Sequence, residues 1–102
     1  MNTEKVISRD GDYILHTYGR SQVVLAEGKG MIARDADGKE YLDFTSGIGV
    51  NSLGYCHPAW VKAVADQAAT LQHTSNLYYT APDGKLAKKI CRRTGLDAVL
   101  FC

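Results

Sequence analysis

Long apolar runs are missing from this 102-residue sequence. No stretch approaches the roughly 20 apolar residues that a membrane helix needs, and the opening MNTEKVISRDGDYILH carries charges where a secretory signal requires an unbroken apolar segment. Membrane insertion and export are not expected. A surplus of charge is missing too: 12 basic against 11 acidic side chains leave a formal +1, which supplies no electrostatic pull toward nucleic acid or an anionic membrane. Cysteine is scarce. Cys56, Cys91 and Cys102 form an odd, widely spaced set with no CxxC pair, so a disulfide framework is excluded and reduced thiols in a cytoplasm fit best. His16, His57 and His73 add no metal-ligand spacing. The glycines of GKG and GIGVNSLG match neither the dinucleotide fingerprint nor the Walker phosphate loop. Spacing alone assembles no nucleophile, base and orienting partner.

What is present reads as an ordinary globular sequence, with 45% apolar and 23% charged residues. Residues 1–12 are polar and patternless, which predicts a loosely ordered lead-in, and residues 13–18 a short helix or extended segment. From Gln22, the runs QVVLAE, MIARD and KEYLDF are separated by Gly28-Lys29-Gly30 and Asp37-Gly38. That pattern predicts an antiparallel meander of three short strands, with Asp-Gly as a hairpin turn because both residues tolerate positive φ. TSGIGVNSLGYCH is too rich in glycine for a helix and too irregular for a strand, and reads as a shaped loop.

His57-Pro58 opens a helix, since proline suits the first helical position. Val61, Val64, Ala65, Ala68 and Leu71 follow at helical spacing as one apolar stripe. Cys56 and His57, adjacent in an extended segment, point apart, so a small buried thiol beside a helix-capping histidine is the preferred reading over a reactive pair. Pro82 starts a second helix with Leu86, Ala87, Ile90 and Cys91 on its apolar side, Arg92 and Arg93 near its end and Gly95 as its stop. Gly84 weakens its first turn, and Lys85, Lys88 and Lys89 form a solvated face. AVLFC, residues 98–102, is apolar on both faces and predicts a buried strand of a parallel sheet. Such a strand needs further βα units on either side, so the chain on its own is expected to be marginal, oligomeric or prone to aggregate.

The ordered motifs G-x-G, D-x-x-G-K-x-Y-x-D-F and G-x-C-H-P, followed by QHTSNLYYT, resemble the start of class III pyridoxal-phosphate aminotransferases over nearly the whole chain after Tyr13. TSGIGVN and HTSNLYY are similar to the acetylornithine branch. The resemblance implies an α/β protein of fold-type I, with this chain as its N-terminal part. Residues 1–57 would belong to the small domain with its meander, and residues 58–102 would carry the helices and first strand into the large cofactor-binding domain.

It also implies a homodimer using pyridoxal 5'-phosphate to move an amino group from N-acetylornithine to 2-oxoglutarate in arginine biosynthesis; composition and charge add the expectation of a cytoplasmic protein without nucleic-acid or membrane partners. Ornithine, 4-aminobutyrate or succinyldiaminopimelate are alternative donors, and a noncatalytic interaction domain is the alternative outside the enzyme class. Three positions align with substrate-binding places in the family: Tyr18 near the substrate carboxylate, Ile48 on the pocket wall where the ornithine branch carries an aromatic, and Asn76 reaching toward the partner subunit's site. Each also has a plain structural reading: Tyr18 packing on the meander, Ile48 plugging a core, Asn76 tying down its own turn. The phosphate-binding Asn-Ser/Thr-Gly motif, the pyridinium-pairing aspartate, the carboxylate-binding arginine and the Schiff-base lysine have no counterpart in these residues. The resemblance therefore implies no catalytic residue here, no metal and no cofactor bound by this chain alone.

Overall fold

Asn2 starts the first element of the computed structural model, which describes residues 2–102. Its side chain accepts a hydrogen bond from the Lys5 amide at 2.9 Å and caps α1, Thr3–Tyr13, with Glu4 in the first turn against the positive end of the helix dipole. The loosely ordered lead-in expected at the N-terminus is corrected for residues 3–12, which are helical; Met1 lies outside the described residues. An asparagine cap followed by an acidic first turn was the available signal. The chain divides into two compact units, one ending at Asp66 and the other comprising Gln67–Cys102.

The first unit holds the expected meander. Strands β1 (Leu25–Lys29), β2 (Ile32–Asp35) and β3 (Glu40–Leu42) pair antiparallel in the order β1-β2-β3. Register runs from Glu27↔Arg34 and Lys29↔Ile32 to Ala33↔Tyr41, with an irregularity between Leu25 and Glu27. Ala33, on the central strand and 3% exposed, is the one buried hydrophobic residue among those described. The β2–β3 turn differs from expectation in one respect. Gly38 takes φ +89 but Asp37 does not enter the left-handed region. Asp35 shapes the turn instead: its carboxylate accepts from the amides of Asp37 at 3.0 Å and Lys39 at 2.9 Å and from the Tyr41 hydroxyl at 2.8 Å.

Helix α2, Pro58–Thr70, begins where proline placed it, and the His57 carbonyl accepts the Val61 amide at 2.9 Å. Val61, Val64 and Leu71 lie along the expected stripe and are exposed. Cys56 corrects two expectations at once: it takes φ +54 rather than an extended conformation, and its thiol is exposed rather than buried. In the second unit, α3 (Ala81–Thr94) follows Thr80, whose hydroxyl donates to Asp83 at 2.6 Å. Gly84 is accommodated without a break, and Gly95 ends the helix at φ +76 with its amide on the Cys91 carbonyl at 2.8 Å.

The buried strand expected over residues 98–102 does not form: these residues carry no strand pairing, and Leu100 is 87% exposed. A strand exists only as part of a ladder, and no described segment offers residues 98–102 a neighbour. No helix among the described residues is long and apolar enough to cross a membrane.

Candidate functional site

The glycine-rich loop between β3 and α2 is tied to the meander at both ends. At its start, Asp43 follows β3 directly, its own amide on the Met31 carbonyl at 2.8 Å. One oxygen of its carboxylate accepts from the Thr45 amide at 2.7 Å, the Thr45 hydroxyl at 2.8 Å and the Ser46 amide at 3.0 Å. At the loop's end, Tyr55 and Gly30 form an isolated antiparallel bridge, exchanging N–H···O bonds of 2.8 and 3.0 Å. The Tyr55 ring lies on Gly28, so close that a Cβ there would sit 2.5 Å from the ring's Cγ. Its hydroxyl is close enough to the Asp43 carboxylate for each group to shift the other's titration. The G-x-G, Y-x-D-F and G-x-C-H-P motifs are therefore parts of one anchor. Gly28 clears space for the ring, Gly30 takes φ +57 at the bridge, and Gly54 approaches the Gly30 carbonyl.

Between the anchored ends the backbone winds the unusual way. Ser46, Gly47, Ile48 and Gly49 are consecutive left-handed residues, with φ of 50, 57, 62 and 90°. Bonds from the Ile48 amide to the Thr45 carbonyl and from the Asn51 amide to the Ser46 carbonyl, each 2.9 Å, close the turn. Positive φ at a β-branched residue costs on the order of 1–3 kcal/mol and persists where surrounding structure imposes it. Ile48 projects from this turn 98% exposed.

The anchor's electrostatics follow from these contacts. The Thr45 hydroxyl first, then the nearby Tyr55 hydroxyl and the bonded Thr45 and Ser46 amides, hold the Asp43 carboxyl down to about 2 against an ordinary 3.8. The nearby Asp43 carboxylate, with partial burial, raises the Tyr55 phenol. A depressed carboxylate stabilises the fold above its unfolded value and loses that contribution as pH falls through its folded value. Exchange protection of the Ser46 amide is accordingly expected to be constant above about pH 4 and to fall between about pH 4 and 2, as measured by amide hydrogen exchange. Protection unchanged across that window would show that Asp43 does not hold the loop.

The three positions singled out by sequence are presented to solvent. Tyr18 is 78% exposed and does not pack on the meander, and Ile48 plugs no core within this chain. The Asn76 turn is held by its neighbours: Ser75 takes φ +59, its hydroxyl accepts from the Leu77 amide at 3.3 Å, and Asn76 itself is exposed. Tyr18 and Ile48 belong to the first compact unit and Asn76 to the second. Sequence reasoning missed Asp43 and Tyr55. Their signal was the spacing of an acid at a strand's end and a tyrosine directly after a glycine, which has meaning only once the chain folds back.

The family described as Aminotransferase class-III matches residues 13–102. This chain belongs to that family. The acetylornithine aminotransferase of Methanocaldococcus jannaschii is 56% identical over 102 residues, covering 100% of this chain and 26% of the relative. The crystal structure of acetylornithine aminotransferase from Elizabethkingia anophelis superposes with a TM-score of 0.91 at 35% identity, over 98% of this chain and 26% of that one. Ornithine delta-aminotransferase of Plasmodium falciparum gives the same TM-score at 28% identity, with the same coverage. The anchored loop thus sits in a fold shared with these aminotransferases, and the chain spans about a quarter of the length of the relatives it matches.

Class-III aminotransferases use pyridoxal phosphate. One concavity of about 410 Å³ runs along α1 between Glu4, Lys5, Ser8, Arg9, Asp12 and Tyr13, and another of about 350 Å³ includes Glu27, Lys29, Arg34 and Glu40, so each mixes carboxylates with as many basic side chains. Lys85, Lys88 and Lys89 are exposed on α3. No group of three or more metal-ligating side chains occurs among the described residues.

Proposed function

We propose that these residues serve as the N-terminal part of a pyridoxal-phosphate enzyme that transfers an amino group between N-acetylornithine and 2-oxoglutarate. The observation that carries this reading is 56% identity to an acetylornithine aminotransferase across the whole chain. In this reading residues 1–57 belong to the small domain and residues 58–102 lead into the cofactor-binding domain. The intact protein is a cytoplasmic homodimer, without nucleic-acid or membrane partners, and its cofactor is bound outside this chain. The exposed stripe of α2 and the exposed Leu100 and Phe101 support it, because apolar surface of this extent is stable only when other structure covers it.

Tyr18, Ile48 and Asn76 are this chain's contributions to substrate binding. Tyr18 offers an aromatic face and a hydroxyl donor suited to a carboxylate. Ile48 offers an apolar wall, which accepts an acetylated amine and disfavours the free ammonium of ornithine through desolvation. Asn76 offers an amide at an open turn.

The test is a chimera in which these 102 residues replace the matching segment of the Methanocaldococcus jannaschii relative. The expected result is N-acetylornithine:2-oxoglutarate transamination, with N-acetylornithine preferred over ornithine, 4-aminobutyrate and succinyldiaminopimelate. A chimera that folds and holds cofactor but prefers another of these donors overturns the substrate assignment; one that transaminates none of them overturns the enzyme reading.

A further inference from the structure

We infer that Asn51 is a positioning residue for donor selectivity: it clasps the left-handed turn from its C-terminal side and so sets where the Ile48 side chain stands. Asn51 was not among the three substrate-binding positions, and its role requires no contact with substrate. The inference rests on the reading of Ile48 as a wall of the donor pocket.

The turn bearing Ile48 is left-handed over four successive residues, a course that a chain of L-residues leaves unless neighbouring structure imposes it. Burial of the tip does not impose it, because Ile48 is 98% exposed and Gly47, Gly49 and Val50 are exposed beside it. Asn51, half-buried at the base of the turn, reaches it in two ways. Its backbone amide donates to the Ser46 carbonyl at 2.9 Å, closing the turn across residues 47–50, and its own carbonyl accepts the Gly54 amide at 2.8 Å. Gly54 leads directly into the Tyr55–Gly30 bridge, whose two bonds join the loop to the meander. Asn51 therefore connects the turn to its anchored end. Its side-chain amide also lies against Gly47: a Cβ added there would stand 3.1 Å from Asn51 Nδ2 and 3.7 Å from Cγ. The carboxamide thus covers the residue directly before Ile48, on the surface that a side chain would otherwise occupy. A group displaced by about 1 Å at a binding wall changes relative substrate binding far more than it changes stability.

The tests are made in the chimeric holoenzyme, with Asn51→Ala, Asn51→Leu and Ile48→Gly. Asn51→Ala keeps both backbone bonds and removes the carboxamide from Gly47; Asn51→Leu keeps a branched side chain of similar shape and removes its hydrogen-bonding atoms. The ratio of kcat/KM for N-acetylornithine to that for ornithine is expected to fall about tenfold in Asn51→Ala, with KM for N-acetylornithine rising by a larger factor than kcat falls. Asn51→Leu is expected to stay within about twofold of the parent, because the shape over Gly47 is kept. Adding Ile48→Gly to Asn51→Ala is expected to produce little further loss, because both act through the same side chain. Faster amide exchange of Ile48 and residue 51 should accompany the loss in Asn51→Ala.

If Ile48→Gly alters the ratio while Asn51→Ala leaves it unchanged, the positioning inference fails and the reading of Ile48 stands. If Ile48→Gly itself leaves the ratio unchanged, that reading fails and takes the inference with it. If Asn51→Leu loses as much as Asn51→Ala while the loop amides exchange as in the parent, the carboxamide acts on the donor itself and the positioning role is overturned. Should Asn51→Ala prevent folding, Gly47→Ala decides, since its Cβ presses on the same carboxamide: a ratio equal to the parent's overturns the proposal.

Discussion

Gly54→Ala is expected to destabilise the loop anchor by about 2–4 kcal/mol, the sum of a left-handed penalty and a backbone collision. Gly54 sits at φ +79, which an alanine adopts only at a cost, and its added Cβ would stand 2.8 Å from the Gly30 carbonyl oxygen and 3.0 Å from its carbon. That oxygen cannot retreat freely, because it accepts the Tyr55 amide at 2.8 Å. Relief requires breaking the bridge. Native-state exchange should therefore show the Gly30 and Tyr55 amides losing protection together, while the β2–β3 ladder, whose bonds do not involve Gly54, keeps its own. Retained protection at Gly30 would contradict the account.

Gly28→Ala should cost about 1–3 kcal/mol for a different reason. Gly28 has no positive φ, so alanine suits its backbone; the obstacle is the Tyr55 side chain, with Cγ, Cβ and Cδ1 lying 2.5, 2.8 and 2.9 Å from the added carbon. These atoms are the root of the ring rather than its flexible tip, and the ring must leave its place. The decisive measurement is a double-mutant cycle. In a Tyr55→Ala background the collision disappears, and Gly28→Ala should become neutral or stabilising by a few tenths of a kcal/mol, since alanine loses less backbone freedom than glycine in a strand. Equal costs in both backgrounds would show that Gly28 serves the strand and not the ring.

The helices and the meander were legible because their causes are local. Proline at residues 58 and 82, glycine at residue 95 and the alternating runs around Gly30 and Gly38 act over a few residues, and the elements formed where they pointed. The N-terminal helix escaped notice because its cap is a single Asn2 side chain and its sequence is largely polar. Residues 98–102 misled in the opposite direction: their composition suits a buried strand, but pairing is a property of two segments.

The anchored loop marks the boundary between the two kinds of information. Sequence determined that a glycine-rich connection would follow β3 and that Ile48 would stand between two glycines, and its resemblance placed the chain among class-III aminotransferases. Only tertiary structure showed that Gly28 yields its space to Tyr55, that Tyr55 and Gly30 bridge, and that Ile48 occupies a left-handed turn. The reason is physical: turns and helices are encoded by neighbours in the chain, whereas a contact between residues 28 and 55 arises from the fold of everything between them.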